Sequence, residues 1–247
     1  MEAAKKIFFL SDAHLGYPNK EESIVREKKL VAFLDSISDK AQEIYLLGDM
    51  FDFWYEYNSV VPRGYVRFLG KLAELTDKGV VIHFFKGNHD IWAFDYLSKE
   101  IGLVLHNDAL HTEIGTKNFF LAHGDGTNKA DRNFLFLKRL FHNKILQWFF
   151  TRLHPNFAFY IASRWSRHSR LINGSVPFKN EQEPMVSYCR ENLMEEGLDY
   201  IVFGHRHYPV NYSLNDSTNM IILGDWITHY TYGEFDGENF ELKKYKM

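Results

Sequence analysis

Short apolar runs alternate with amphipathic stretches along this chain, and five of the runs end in carboxylate, amide or imidazole side chains. Residues 6–11 (Lys-Ile-Phe-Phe-Leu-Ser) predict a first strand that ends at Asp12 and His14. Residues 21–38 place Ile24, Leu30, Val31, Leu34 and Ile37 on one side of a helix. An apolar strand over 43–47 follows and turns at Gly48 into Asp49, so the opening unit is strand–helix–strand, expected parallel and right-handed. A second helix is predicted over 64–78, with Val66, Leu69, Leu72, Ala73 and Leu75 as its apolar face and Gly79 as its stop. The strand over 80–85 runs into Gly87-Asn88-His89-Asp90.

Beyond a helix at 92–100 the pattern shortens to strands near 103–106, 110–114 and 118–122, the last ending at His123-Gly124-Asp125. Residues 130–172 read as two helices broken at His154-Pro155, and 181–196 as another, stopped by Gly197. The strand over 199–203 ends at Gly204-His205-Arg206-His207. Turn signals at Asn215-Asp216, Asp225 and Asp236-Gly237 then predict antiparallel strands to the C-terminus. The order is that of an α/β protein with no repeats and no linker.

Composition adds little to this picture: 247 residues, 45% apolar and 25% charged, suit a soluble globular protein with one large core. A single cysteine, Cys189, excludes an intramolecular disulfide framework and fits a reducing compartment. The apolar run behind Met1-Glu2-Ala3-Ala4-Lys5-Lys6 is too short for a signal peptide, and no stretch approaches the roughly 20 apolar residues of a membrane span. A cytoplasmic protein, at most peripheral on a membrane, is the expectation.

Charge changes the picture more. The net charge is −3, yet residues 127–172 hold nine Lys or Arg against one acid, Asp131, together with ten aromatics such as Phe134, Trp148, Tyr160 and Trp165. That segment is either a helical subdomain with solvated arginines or a surface for something both anionic and greasy. Phe149 and Phe150 are expected in its core. A nuclease would carry its basic groove on the catalytic core, so no nucleic-acid partner is expected.

The five strand ends offer Asp12 and His14, Asp49, Asn88 and His89, His123, and His205 and His207. In open α/β sheets ligands bind at the carboxyl ends of the strands. A buried carboxylate is tolerated there when it is paired, hydrogen-bonded or bound to a cation. The mixture of carboxylate, imidazole and amide oxygen without thiolate favours manganese, iron or zinc. There are too many donors for one ion, so two metals about 3.5–4 Å apart sharing a carboxylate are the natural division.

In order, Asp-x-His, Gly-Asp-x-x-Asp, Gly-Asn-His-Asp, a lone His before Gly-Asp, and Gly-His-x-His resemble the signature of calcineurin-like binuclear metallophosphoesterases, over residues 12–207. The resemblance implies a four-layer sandwich of two mixed sheets flanked by helices, spanning 1–247 as one domain with a helical cap inserted at about 127–196. It implies that Asp12, His14 and His207 hold one metal, that Asn88, His123 and His205 hold the other, and that Asp49 bridges them. His89 would stabilise the transition state or protonate the leaving oxygen, oriented by Asp52 or Asp90. The stretches Ser11-Asp-Ala-His-Leu-Gly16, Gly48-Asp-Met-Phe-Asp-Phe-Trp54 and Gly204-His-Arg-His207 are similar, more narrowly, to the UDP-2,3-diacylglucosamine pyrophosphatases of lipid A synthesis, especially the Bacteroides-type forms.

That narrower resemblance implies manganese, an acylated sugar-nucleotide substrate and products UMP and 2,3-diacylglucosamine 1-phosphate. It implies substrate contacts at Asp131 and at Ser166, Arg167, Ser169 and Arg170, and an anionic membrane surface as a peripheral partner. Many members carry Arg where this chain has His89, the residue of the broader phosphoesterases. The alternative expectation is a phosphodiesterase or phosphatase acting on a soluble substrate such as a nucleotide. A non-catalytic scaffold would have lost ligands, and none of the motif positions is substituted. The pattern leaves oligomeric state open.

Overall fold

The computed structural model describes residues 5–173 and 177–246, with the side chains at 163, 165 and 167–173 outside the description. Two mixed sheets lie face to face. In the first, β1 (Lys6–Leu10), β2 (Ala41–Leu46), β3 (Val81–Phe85) and β4 (Val104–His106) are parallel neighbours. Strands β10 (Thr231–Phe235) and β11 (Phe240–Lys244) extend it antiparallel beyond β1. The second sheet runs β5 (Leu110–Ile114), β6 (Lys117–Ala122), β7 (Tyr200–Phe203), β9 (Asn219–Ile222) and β8 (Val210–Ser213), with the central three parallel and both edges antiparallel.

Alternation along the strands makes the layers, because successive side chains leave opposite faces. Ile7 and Phe9 of β1 point between the sheets and meet Phe119, Leu121, Val202 and Ile221 from the other side. The Phe9 and Phe119 rings stack there at 5.9 Å. Phe8 and Leu10 point outward to helices α1 (Lys20–Ile37), α2 (Val66–Asp77) and α3 (Tyr96–Ile101), against Leu30, Phe33, Leu34, Phe68 and Leu72. On the second sheet, Phe120, Ile201 and Phe203 face Met185, Val186 and Cys189 of α7 (Pro184–Asn192). The result is the expected helix–sheet–sheet–helix sandwich.

Between β6 and α7 come α4 (Arg132–His142), α5 (Lys144–Phe150) and α6 (Pro155–Asn173), three helices where two were expected. The extra break is at Asn143, whose side chain accepts from the backbone N–H groups of Ile145 and Leu146 and so starts a new helix. The segment is tied to the loops above the first sheet by Trp92, whose indole N–H donates to the Phe141 carbonyl at 2.9 Å, and by Tyr55, which donates to the Gln147 carbonyl at 3.2 Å. Tyr55, Trp92, Phe141 and Phe150 pack into one aromatic cluster beneath it. Phe150 is therefore a packing residue as expected, but Phe149 is 60% exposed, because the rotation of one residue along α5 carries its ring away from that cluster.

Three other expectations shift. The helix over 92–100 contracts to α3 because Trp92 instead pairs with Tyr55 in an isolated bridge, and Glu56 gathers the N–H groups of Phe94, Asp95 and Tyr96. The helix over 181–196 is α7 flanked by two 3₁₀ turns; Pro184 at its first position lacks the N–H a longer helix needs. The C-terminal strands are not all antiparallel, since β9 runs parallel to β7 in the second sheet. No described helix is long and apolar enough to cross a membrane.

Candidate metal centre

Strands β1, β2, β3, β6 and β7 all end at the same edge of the sandwich, and the loops that follow bring the five predicted motifs together. Three groups of donors result: Asp12, His14 and His207; His14, Asp49 and His89; and Asp49, His123 and His205, with the donor atoms of each within 4.8 Å of one another. One oxygen of Asp49 lies 3.6 Å from His14 Nε2 and 3.4 Å from His123 Nε2, so this carboxylate stands between two clusters. Asp12 Oδ1 lies 3.6 Å from His14 Nε2 and 3.3 Å from His207 Nε2.

The loops are built to aim these side chains. Asp12, His14, Asp49, His205 and His207 all have left-handed backbone, with φ between 40° and 66°. Asp and His enter that region more readily than most residues, at a cost on the order of 1–3 kcal/mol each. Gly204 is required because a Cβ there would sit 2.7 Å from Asp12 Oδ2 and 2.8 Å from Ser11 Cβ. At Gly87 a Cβ would run into the Asp49 carboxylate itself. Asp90 ties two of the loops, accepting from the Gly87 N–H at 2.7 Å and the Met50 N–H at 2.8 Å.

Whether the pocket suits cations is answered by its unsatisfied atoms. Asp12 Oδ1, Asn88 Oδ1 and His123 Nε2 are buried without a hydrogen-bond partner. Buried polar atoms are nearly always paired, so three such atoms within one motif set fit ligation of a cation. His123 Nδ1 lies 2.7 Å from the Leu47 carbonyl, an acceptor only, which fixes its hydrogen and leaves Nε2 as a lone pair for a ligand bond. The donor set therefore fits two divalent ions.

Without cations the charges are balanced by protons. Burial opposes ionisation of Asp12, yet His207 and His14 hold its carboxyl well below the usual range. Burial likewise opposes Asp49, which His123 and His89 keep ionised. Against burial, Asp49 holds the His123 imidazole well above its ordinary value, and Asp12 and Asp225 bring His207 up to about 9. Burial and the neighbouring His123 charge push His205 down to about 4. Asp90 is raised to about 7 by burial and the Asp49 charge.

His89 sits over the same space, its ring edge-on to His14 at 4.8 Å. Of the two acids considered as its orienter, Asp52 takes the place: His89 Nδ1 is 2.8 Å from the Asp52 backbone carbonyl and 3.9 Å from its carboxylate. Asp90 is engaged with backbone instead. Ser166 is buried, and its hydroxyl donates to Asp52 at 2.9 Å, linking α6 to this site. Asp131 caps α4 by accepting from the Phe134 N–H, and the Phe134 ring lies 6.1 Å from His205. The side chains of Arg167, Ser169 and Arg170 lie outside the described residues.

Two supporting residues escaped sequence reading. Asp225 registered only as a turn signal, yet its carboxylate lies 3.5 Å from His207 Nδ1 and accepts from the Thr228 and His229 N–H groups. Arg26 is buried inside an amphipathic helix and donates to the carbonyls of His14 and Tyr17, bracing the Asp-x-His loop. A charged residue at a core position of α1 was the only available signal for it.

The fold and site together define a class: residues 5–209 match the calcineurin-like phosphoesterases, and the chain belongs to that family, as a metal-dependent hydrolase. A UDP-2,3-diacylglucosamine hydrolase of Porphyromonas gingivalis is 40% identical over 96% of this chain and 97% of its own length. The enzyme of the same name from Edwardsiella ictaluri is 29% identical over 95% of this chain and 90% of its own. That of Haemophilus influenzae is 29% identical, over 92% of each.

Proposed function

We propose that this chain hydrolyses the pyrophosphate bond of UDP-2,3-diacylglucosamine, giving UMP and 2,3-diacylglucosamine 1-phosphate. The observation that carries the reading is a two-cation donor set lying beneath a basic, aromatic three-helix segment. A diphosphate with two acyl chains needs cations for the phosphates and apolar surface for the chains. The 40% identity to a hydrolase of that name, over nearly both whole chains, supports it.

Asp12, His14 and His207 hold one divalent ion, Asn88, His123 and His205 the other, and Asp49 serves both; manganese is the first choice, with iron or zinc as alternatives. When bound, such a pair lowers the pKa of water and offsets charge developing on phosphoryl oxygens. Water adds to the phosphorus next to uridine, and the bond from that phosphorus to the bridging oxygen breaks. His89 gives its Nδ1 hydrogen to the Asp52 carbonyl, so Nε2 faces the reaction and, protonated, donates to phosphoryl or leaving oxygen. Asn88 contributes as ligand and as the neighbour that seats His89.

Residues 127–196 act as a cap on a single domain, and Asp131, Ser166, Arg167, Ser169 and Arg170 serve the substrate from it. The same cap docks the protein peripherally on the cytoplasmic face of an anionic membrane. Phe136, Trp148, Phe149, Phe157 and Tyr160 are each more than half exposed, with Arg152 packed over the Trp148 ring at 4.4 Å. Aromatic rings beside cations suit the headgroup boundary.

A substrate panel tests the reading: the acylated sugar nucleotide, its deacylated analogue and bis-p-nitrophenyl phosphate, each with manganese. The acylated compound should be turned over with by far the highest kcat/KM. Equal efficiency on the deacylated analogue would remove the acyl-chain part of the proposal.

A further inference from the structure

A second cavity, of about 230 Å³, opens beside the donor set, between the ends of β4 and β6 and helix α4. His123 and Asp125 line its inner side, His106 and Asn107 the side below β4, and Lys138 and His142 the side toward the cap. We propose that this cavity is a pyrimidine-nucleoside subsite, taking the uridine of the nucleotide whose phosphorus is attacked. The assignment rests on the proposed reaction for its substrate, but its geometry stands apart from it.

Position argues first. The reacting phosphorus belongs to the nucleotide product, so the nucleoside must lie one ester link from the cations. His123 is both a candidate ligand and a cavity wall, which meets that condition. Size argues next. Pockets for drug-sized ligands run about 300–1,000 Å³, so this one is too small for a diacylated sugar and suits a single nucleoside. The acyl arm is left to the aromatic helices.

The lining chemistry favours uracil. Phe85, Ile91 and Phe120 offer apolar surface to a flat ring. Lys138 is committed to Asp125, with its ammonium 2.6 Å from the carboxylate. His142 Nδ1 lies 2.8 Å from the Lys138 carbonyl, which only accepts, so in the neutral ring Nε2 is an acceptor. Uracil presents a donor at N3 between two carbonyls, whereas cytosine presents an acceptor there. Lys86 also lines the cavity, and among the described residues its ammonium has the Phe94 ring at 5.6 Å and no hydrogen-bond acceptor, leaving it free for a base carbonyl.

Calorimetric binding to the manganese-loaded enzyme decides it, with UMP, CMP and inorganic phosphate as probes. UMP should bind at least about tenfold more tightly than phosphate, and more tightly than CMP, since unpaired polar groups disfavour the wrong base. Ala109 is an exposed wall residue, so Ala109→Trp should fill the cavity without unfolding the chain. That variant should lose the advantage of UMP over phosphate while still binding phosphate. His142→Ala should erase the preference for UMP over CMP. UMP binding no tighter than phosphate in the wild type, or unchanged UMP affinity in a folded Ala109→Trp variant, overturns the subsite. Tight UMP binding in the cavity with no turnover of the acylated sugar nucleotide would instead overturn the proposed reaction and leave the subsite standing.

Discussion

Glu56 holds together the region to which helices α4 and α5 are tied, and its removal has a calculable cost. Glu56 is 6% exposed, and its carboxylate accepts four hydrogen bonds. One oxygen takes the Trp54 indole N–H at 2.9 Å, and the other takes the N–H groups of Phe94, Asp95 and Tyr96 at 2.6, 2.7 and 3.1 Å. Glu56→Ala leaves the fully buried Trp54 donor unpaired, at about 1–3 kcal/mol. The three backbone donors begin α3 and lie near solvent, so losing their acceptor resembles losing a helix N-cap, about 0.5–2 kcal/mol. Together that is about 1.5–5 kcal/mol, and at about 2–4 °C per kcal/mol for a chain of this size it lowers Tm by about 3–20 °C. Glu56→Gln keeps one acceptor oxygen but turns an NH₂ toward a donor, so it should recover only the smaller part. Thermal unfolding followed by circular dichroism reads both variants, and metal content should stay at the wild-type level because Glu56 touches none of the candidate ligands. A Tm within about 1 °C of wild type for Glu56→Ala would refute the reasoning.

Asp49→Asn should abolish turnover and lower the content of both metals, since one of its oxygens faces both clusters; two retained metals with near-normal activity would exclude the bridging role. His89→Ala should lower kcat by about 10²–10⁴ with both metals bound, and an unchanged kcat would reduce His89 to a support for the Asn88 loop. Asp225→Asn should weaken one of the two ions by about 10–100-fold, through loss of the partner of His207 Nδ1, and equal weakening of both ions would contradict the geometry. Metal uptake by the chelated protein should release a proton from His207, raised to about 9, and another from His123. These protons are held only in the cation-free form, so affinity should rise with pH toward 9 and fall in acid; calorimetry in buffers of different ionisation enthalpy would detect their release. The protein should sediment with anionic vesicles at low salt and be released at high salt, and replacing Trp148 and Phe149 by Ser should weaken the salt-resistant part without lowering Tm.

The central strands and the outline of the site were legible because they obey local rules. An apolar run of five or six residues makes a strand wherever it is placed, and side chains just beyond parallel strand ends converge whatever the details of the loops. The cap was harder. Its amphipathic periodicity marks helices, but an aromatic on such a helix can face the Tyr55–Trp92 cluster or solvent, and one residue of rotation separates Phe150 from Phe149. What holds the starts of α2 and α3 was not legible at all. The first turn of α2 has Tyr65 at its N-cap with no capping side chain, and the acceptor for the Arg67 and Phe68 N–H groups is Glu27, some forty residues away on α1. Glu56 does the same for α3.

The active-site loops combine both situations. Asp12, His14, Asp49, His205 and His207 are the residue types that tolerate left-handed backbone, so the motif letters themselves carry part of the geometry. That conformation is unfavourable in isolation and persists only where the surroundings fix it. Here the fixing is long-range: Asp90 gathers the Asp49 loop, Arg26 the His14 loop, and the Asp12 carboxylate the His205 N–H at 2.9 Å. A ligand list read from the chain therefore names the candidate donor atoms but not the carboxylates and guanidinium that hold their loops in place. It follows that Arg26→Met, which keeps the buried stem but removes the guanidinium nitrogen that donates to the Ala13, His14 and Tyr17 carbonyls, should loosen the His14 loop and lower metal affinity while Asp12, His14 and His207 remain in place. Wild-type affinity in that variant would show that the Asp-x-His loop holds its left-handed backbone without the brace.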